Sequence, residues 1–296
     1  MAALTGARRR AICWLVMENE PQIRLAAFIA IFAAMAAFEL WAPRLERPEM
    51  AGALKSRRWF VNLSMVVISS VCLRIIFPAA AVGTALFAEQ QGWGLFNATG
   101  VPVVLAGLIA FIVLDFAVWL EHLVSHKWPL LWRIHRMHHS DQGFDLTTAL
   151  RFHPLEIVIS MLWKAAVIIA LGAPAVAVLV FEIVLNGMAM FNHANARLPL
   201  KLDRVVRALF VTPDMHRVHH SVVPRETDSN YGFNLSVWDR LLGTYTDQPA
   251  AGHDGMRIGL TDFDGPQTSN LGWALLLPFR YGGTRSGQDP NGSIGK

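Results

Sequence analysis

Residues 155–191 read LEIVISMLWKAAVIIALGAPAVAVLVFEIVLNGMAMF, a stretch of 37 mostly apolar residues. The Gly-Ala-Pro sequence at 172–174 in its middle is typical of one helix ending and another beginning. A helix needs about 20 residues to cross a hydrocarbon core about 30 Å thick, so the stretch is long enough for two crossings. It therefore predicts a transmembrane helical hairpin.

Two opposite charges lie inside this hairpin. Lys164 is nine residues before Ala173 and Glu182 is nine after it, so both are about 13 Å from the tip of an antiparallel helix pair. We expect them to pair, because pairing lowers the cost of each buried charge. The alternative is that Lys164 snorkels while Glu182 faces a polar cavity. The same count places His153 and His193 together at one membrane face, about 30 Å from the tip.

The composition of the whole chain agrees with a membrane protein. Of 296 residues, 53% are apolar and 16% are charged, against roughly 25% charged in soluble domains. Further candidate spans are 22–42, 60–88 and 101–120, with a break in the second near Pro78. The net charge of +4 favours an anionic membrane surface and no nucleic-acid partner. We predict an all-α integral membrane protein that carries a helical cap.

Basic residues set the predicted orientation. Residues 43–58 carry several Arg and Lys, whereas 89–100 carry none, so the former are expected in the cytoplasm and the latter outside. In a bacterium the membrane would be the cell inner membrane. Arg8, Arg9 and Arg10 would also prefer the cytoplasm. Segment 22–42 therefore either spans against that preference or dips into the membrane and returns.

Eleven histidines occur in the chain, and ten of them lie between residues 122 and 220. Eight form the boxes HxxxH, HxxHH and HxxHH: His122 and His126; His135, His138 and His139; and His216, His219 and His220. Spacings of three and four put the imidazoles of a box on one arc of a helix. Eight exceed the needs of one ion, so the boxes indicate a dimetal site. Imidazole ligands alone leave Fe, Zn, Cu and Ni open.

Topology and composition support this interpretation. Two crossings separate the first two boxes from the third, so all three meet at one membrane face. The two cysteines lack CxxC spacing, which argues against a thiolate metal site.

Polar residues near the boxes are expected to orient the ligands, because metal-bound imidazoles usually give their second N–H to a carboxylate or carbonyl. Asp115 lies two helical turns before His122, on the same helix face. Asp141, Asn195 and Asp214 are also close in sequence to candidate ligands. Asp214 is an equally good candidate for the cap of the helix that carries the third box.

The order and spacing of the boxes, with His193-Ala194-Asn195 before the last, resemble the fatty acid hydroxylase and sterol desaturase superfamily of membrane oxygenases. The Asn-Tyr-Gly sequence at 230–232 and WDRLLGTY at 238–245 resemble that family's segment after the third box. The resemblance covers about residues 100–248. It implies that the eight box histidines are ligands, that His193 is a ninth, and that His153 belongs to the surroundings of the site.

The same resemblance implies two Fe ions in a cytoplasmic cap, which activate O2 to hydroxylate or desaturate a C–H bond of a lipid. An external electron donor, ferredoxin-like or cytochrome-like, is expected because the sequence has no Rossmann fingerprint or haem-carrier domain. Its expected docking surface, with lipid headgroups an equal alternative, consists of Arg133, Arg136, Arg204, Arg207 and Arg217. Residues 202–210 have amphipathic spacing and predict a helix on the membrane surface or packed on the cap.

Three regions are expected: N-terminal membrane segments at 1–100, a histidine-box domain at 101–248, and a C-terminal interfacial segment with a flexible tail at 249–296. Two other functions stay open. A membrane zinc hydrolase would need a general base and no reductant. A metal transporter would carry its ligands near the membrane midplane, and boxes that flank the spans count against it.

Overall fold

The structure is a computed structural model that describes residues 18–46 and 52–280. The predicted basic segment at 8–10 and the end of the predicted tail lie outside the described residues. Within these ranges the regular structure is helical, with isolated β-bridges such as that between Phe210 and Leu235. Five stretches are long and apolar enough to cross a membrane: 20–41, 52–99, 103–127, 154–171 and 175–193. The predicted all-α membrane fold is confirmed.

The helices are numbered here in chain order. The first part of the chain forms α1 (Glu20–Trp41), α2 (Gly52–Ile76), α3 (Ala80–Gln91), α4 (Leu95–Thr99), α5 (Val103–Lys127), α6 (Pro129–His139), α7 (Pro154–Leu171) and α8 (Ala175–His193). The second part forms α9 (Leu200–Arg207), α10 (Pro213–His219), α11 (Pro224–Thr227), α12 (Val237–Leu241), α13 (Gly252–Gly255) and α14 (Leu271–Arg280). Helix α6 and the helices after α8 belong to the cap.

Helices α7 and α8 form the predicted hairpin. Gly172 ends α7 in the left-handed conformation, with φ of 65°, and its N–H donates to the carbonyls of Ile168 and Ile169. Pro174 then precedes α8. The Lys164 ammonium lies 2.8 Å from a carboxylate oxygen of Glu182, so the predicted pair is confirmed.

A second cation reaches the same carboxylate from outside the hairpin. Arg24 of α1 lies 2.5 Å from the other oxygen of Glu182 and 3.0 Å from Glu20. The charges therefore form a four-residue network across three helices, which the sequence did not predict because α1 is distant in the chain.

The second predicted span is broken where expected. Helix α2 ends at Ile76 and α3 begins at Ala80, on either side of Pro78. The beginning of α2 contacts the cap, and the chain after α3 reaches the hairpin tip, where a Cβ on Gly94 would overlap the backbone of Gly172. Helix α1 is one continuous helix of 22 residues, so it does not turn back within the membrane.

A buried polar network joins α2 to the loop after the second histidine box. Arg58 of α2 lies 2.8 Å from Asp141 and also pairs with Asp145. Asn62 donates to Asp141 at 2.9 Å and accepts from Arg151 at 3.0 Å. Burial alone would raise the pKa of Asp141, but Arg58 and Arg151 lower it to about 2. This ionised carboxylate fixes the cap on the membrane bundle.

Candidate metal centre

Four helices bring nine buried histidines together at the face opposite the hairpin tip. Helix α5 carries the first box at its end, α6 carries the second, α8 ends at His193, and α10 with the residue after it carries the third. The nine are His122, His126, His135, His138, His139, His193, His216, His219 and His220, all predicted as ligands. The topological argument thus led to the right neighbours across the hairpin.

The nine form two groups, in each of which the candidate ligand atoms lie within 4.8 Å of one another. One group has five members: His122, His126, His135, His139 and His219. The other has four: His138, His193, His216 and His220.

Each HxxHH box is divided between the groups in the same way. Its i and i+4 histidines enter one group together, because they share a helix face, and the i+3 histidine enters the other. Thus His138 leaves the second box for the four-membered group, and His219 leaves the third box for the five-membered group.

Oxygen atoms of the protein fix the proton on the outer nitrogen, Nδ1, of several imidazoles and leave Nε2 as the inner nitrogen. The Nδ1 of His122 lies 2.7 Å from the carbonyl of Tyr231, and that of His219 lies 2.6 Å from the carbonyl of Ser229. The Nδ1 of His193 lies 2.7 Å from the carbonyl of Ala189. A carbonyl oxygen only accepts, so each Nδ1 donates and each Nε2 presents a lone pair.

The carboxylate of Glu156 has the same role beside the second box. Its Oε1 lies 2.6 Å from Nδ1 of His135. Near the first box, Asp228 lies 3.6 Å from Nδ1 of His126 and 3.0 Å from Lys127.

The inner nitrogens face one another without a donor between them. With the carboxyl group of Glu156 ionised, both imidazoles carry their proton on Nδ1, and their Nε2 atoms are 3.2 Å apart. Two lone pairs at this distance repel unless a cation lies between them. Nitrogens bound to one ion at about 2.1 Å and at right angles would be about 3.0 Å apart. The residues therefore fit a metal in the five-membered group.

The four-membered group has the same spacing. The Nε2 of His193 lies 3.2 Å from that of His138 and 3.1 Å from that of His216. Burial lowers the pKa of the cap histidines, to about 3 for His135. The pKa also lies well below the ordinary value in His138, His139, His216, His219 and His220. These imidazoles are neutral near pH 7, which is the form that binds metal.

The residues that the sequence predicted to orient or surround the ligands, Asp115, Asn195 and His153, have other hydrogen-bond partners. Asp115 accepts the indole N–H of Trp238 at 2.7 Å. Asn195 donates to the carbonyl of Leu45. His153 caps α7 by accepting from the N–H of Leu155. Of these hydrogen bonds, the one between Asp115 and Trp238 connects the cap with helix α5.

Asp214 is not the cap of α10. Thr212 is the cap residue, and its hydroxyl accepts from the N–H of Met215. Asp214 lies in the first turn and pairs with Arg44 at 3.1 Å. The hydroxyl of Thr212 is better placed because it directly precedes the helix.

The sequence pattern did not point to Glu156 or Asp228 as orienting residues. Glu156 is the second residue of the apolar stretch 155–191 and lies in the first turn of α7, and Asp228 is two residues before Asn230. An acidic residue at the first turn of an otherwise apolar helix near a histidine box was the available signal.

Aromatic rings surround the two groups. Trp132, Phe144 and Tyr231 are buried, and each has a ring centroid within 5.2 Å of that of a site histidine. Phe152 stacks on His138 with centroids 4.4 Å apart. Phe233 lies 5.0 Å from His122 and 5.8 Å from His216 by centroid, and so contacts both groups.

The predicted docking surface of five arginines is wrong. Arg136, Arg207 and Arg217 are buried, and Arg133 donates to the carbonyl of Pro278. Arg207 pairs internally with Asp203 at 2.6 Å. Only Arg204 of the five is exposed. The sequence pattern did not reveal that the cap uses its arginines as internal hydrogen-bond donors.

The fold and the site define the class of protein: a helical membrane protein whose cap holds two convergent sets of imidazoles. The sequence profile of the fatty acid hydroxylase family matches residues 107–244, which contain all nine histidines. These residues, a little under half of the chain, match the fatty acid hydroxylase family.

Several relatives share this region. The chain is 31% identical over 151 residues to the ornithine lipid hydroxylase OlsE of Rhizobium tropici, covering 50% of this chain and 44% of the relative. It is 31% identical over 137 residues to the human alkylglycerol monooxygenase, covering 46% of this chain and 29% of the relative. A cholesterol 25-hydroxylase-like protein of Danio rerio is 30% identical over 155 residues, 51% of this chain and 59% of the relative. Each match thus spans less than two thirds of the relative. Among solved structures, none matches the chain significantly.

Proposed function

We propose that this protein is an O2-dependent lipid hydroxylase with a non-haem di-iron centre in a cytoplasmic cap. The observation that carries the proposal is the pair of imidazole groups with inward lone pairs, in which His122 and His135 face each other at 3.2 Å. Two ions that bind imidazole, one per group, satisfy these atoms. Iron is favoured because the relatives are named as hydroxylases and monooxygenases.

The protein residues prepare the site by fixing protons and excluding water. The oxygens of Tyr231, Glu156 and Ala189 hold protons on outer nitrogens, which leaves the inner nitrogens free to bind metal. The ring of Phe152 covers His138. When bound, two iron ions supply the redox chemistry that activates O2 with electrons from outside, for which we propose a ferredoxin-like or cytochrome-like partner.

The substrate is proposed to be a membrane lipid that enters from the bundle. Phe233 packs against apolar residues of the membrane bundle and contacts both histidine groups. It is partly exposed, unlike Trp132 or Phe144. A fatty-acyl chain or sterol-like ring could therefore approach the site past this side chain. Hydroxylation is favoured over desaturation because the three relatives are named for oxygen insertion.

The test uses the full chain in lipid nanodiscs, with metal analysis, O2 uptake in the presence of a reductant, and mass spectrometry of the lipids. We expect bound iron, O2 consumption and a lipid that gains one oxygen atom. A loss of two hydrogens instead would indicate desaturation. Tightly bound zinc, with no O2 uptake after iron reconstitution, would favour a hydrolase and contradict the proposal.

Matched variants separate the site from the fold. His138→Ala and His219→Ala each remove one member of a different group, and both should lose metal and activity while remaining in the membrane. His253→Gln is the control, because His253 lies outside both groups. Retained activity in either alanine variant would remove that residue from the ligand set.

A further inference from the structure

Helix α9 turns the side chains of Asp203 and Arg207 toward the protein and most of its apolar side chains outward. Asp203 and Arg207 pair with each other and are buried. Leu200 and Val205 are 77% and 71% exposed. A helix packed on the cap of a protein in water has the opposite arrangement. The prediction of an amphipathic helix holds, and most of its apolar side chains are exposed.

A neighbouring segment extends this apolar side. The hydroxyl of Ser236 donates to the carbonyl of Arg207, and the N–H of Ser236 donates to the carbonyl of Leu209. These bonds hold α12 beside the end of α9, and Leu241 at the end of α12 is 70% exposed. The apolar cap surface is defined as Leu200, Leu202, Val205, Leu209, Phe210, Leu241 and Leu242, all exposed.

The apolar cap surface lies beside a membrane span, at a depth that can be counted. Asp115 and Trp119 of α5 bind Trp238 and Asp239, at 2.7 and 3.0 Å. Helix α5 begins at Val103, so a hydrocarbon core about 30 Å thick that starts there ends about 6–12 Å beyond Asp115 and Trp119. In-plane amphipathic helices bury their apolar face about 5–10 Å into the headgroup–acyl boundary. The depth of α12 agrees with this range.

The surface also continues the side of α5 that faces lipid. Leu105, Leu108 and Ile112 are exposed along one side of α5. Phe116 follows on the same side at i+4, and there the ring of Trp238 packs on it with centroids 5.1 Å apart. Cap residues therefore take the place of lipid on α5 near the site, and the apolar cap surface presents new apolar side chains outward.

Exposed cations accompany these apolar side chains. Arg197, Lys201 and Arg204 are all exposed in or just before α9, while the acidic Asp203 is turned inward to Arg207. Cations beside an apolar helix face can extend toward lipid phosphates while their neighbours enter the acyl region. The charge pattern thus complements an anionic bilayer surface.

We propose that the apolar cap surface is an in-plane membrane anchor, inserted in the headgroup–acyl boundary of the leaflet next to the metal centre. The third histidine box follows at once, since α10 begins at Pro213, three residues after Phe210. The anchor holds that box level with the end of α5, where the first box lies. It acts whatever reaction the metal centre carries out.

The test measures immersion depth by site-directed spin labelling of the full chain in phosphatidylcholine–phosphatidylglycerol vesicles. Cys13 and Cys72 are first replaced by serine, and single cysteines are placed at Val205 and Leu241. Leu108→Cys in α5 is the immersed control. Arg225→Cys is the aqueous control, because the nearby Asp228 pairs with Lys127 at the far end of α5.

We expect O2 to relax the spin labels at positions 205 and 241 more strongly than a water-soluble nickel chelate does. The immersed control at position 108 should behave in the same way. At position 225 the chelate should relax the label more strongly than O2. Labels at both test positions that respond like Arg225 would overturn the proposal. So would dipolar broadening at these positions that vanishes on dilution with lipid and leaves them open to the chelate, because a second copy would then be the occupant.

Discussion

At the scale of single residues, the carboxylate of Glu156 is the side chain whose loss should report most directly on the metal centre. It lies 2.6 Å from Nδ1 of His135 and, in its ionised form, holds the proton there. We expect Glu156→Ala to weaken metal binding by about 10–100-fold, the range typical for removing such a partner. Glu156→Gln keeps an acceptor and should lose less. Chelator competition followed by metal analysis measures both.

Glu121→Gln provides the matched control for this experiment. Glu121 is also a glutamate near the site, but its carboxylate accepts from Ser160 at 2.9 Å. Its substitution should leave metal affinity nearly unchanged. Equal losses in the Glu121 and Glu156 variants would show that the effect is structural and not specific to His135.

The candidate ligands show which contacts residue spacing can predict and which it cannot. Intervals of three and four predicted which histidines would converge, because helix geometry alone fixes those directions. Spacing did not predict that His138 and His139 would join different groups, since that depends on how α6 is rotated against α5 and α10. For the same reason it pointed to Asp115 and Asn195 where the fold uses Glu156 and backbone carbonyls.

At the scale of helices, the intramembrane charge network should depend on Glu182 having two cationic partners. Lys164→Leu alone leaves Glu182 paired with Arg24 at 2.5 Å and should be tolerated. Arg24→Leu with Lys164→Leu leaves a buried carboxylate unpaired, which costs about 3–5 kcal/mol. Adding Glu182→Leu should recover most of the thermal stability. Thermal unfolding in detergent compares the variants, and a triple variant no more stable than the double would contradict the pairing.

The contact between α4 and the hairpin tip gives a second prediction at this scale. Gly94 has φ of 98°, and a Cβ there would overlap the backbone of residues 169 and 172. Gly100 has φ of 65° with nothing within 4 Å of its Cβ position. Gly100→Ala should therefore cost only the left-handed strain of about 1–2 kcal/mol, and Gly94→Ala clearly more. Similar melting temperatures would indicate that the hairpin tip can move away from α4.

Across the whole molecule, the membrane bundle was more predictable than the cap. Apolar length gave the spans and the hairpin, and equal counts from Ala173 gave the Lys164–Glu182 pair, because depth in a bilayer follows from residue number. In the cap, residue number does not give the position of a side chain in this way. Its buried arginines, such as Arg207 and Arg217, read as surface charge in the sequence and are internal in the structure. Arg207 pairs with Asp203, four residues before it, and this spacing fits an exposed helix pair equally well.

Metal removal should loosen the cap while the bundle stays folded. The histidines come from α5, α6, α8 and α10, so an ion in each group ties together elements that otherwise meet through repelling lone pairs. An ion present at 100 times its Kd stabilises by about 2.7 kcal/mol. Chelation should therefore lower the melting temperature and raise amide exchange in residues 135–139 and 213–220, but not in 175–185 of the hairpin. Added iron should reverse both changes, and His253→Gln should behave like the unaltered protein. Unchanged exchange in the two boxes after complete chelation would show that protein packing alone holds the imidazoles together.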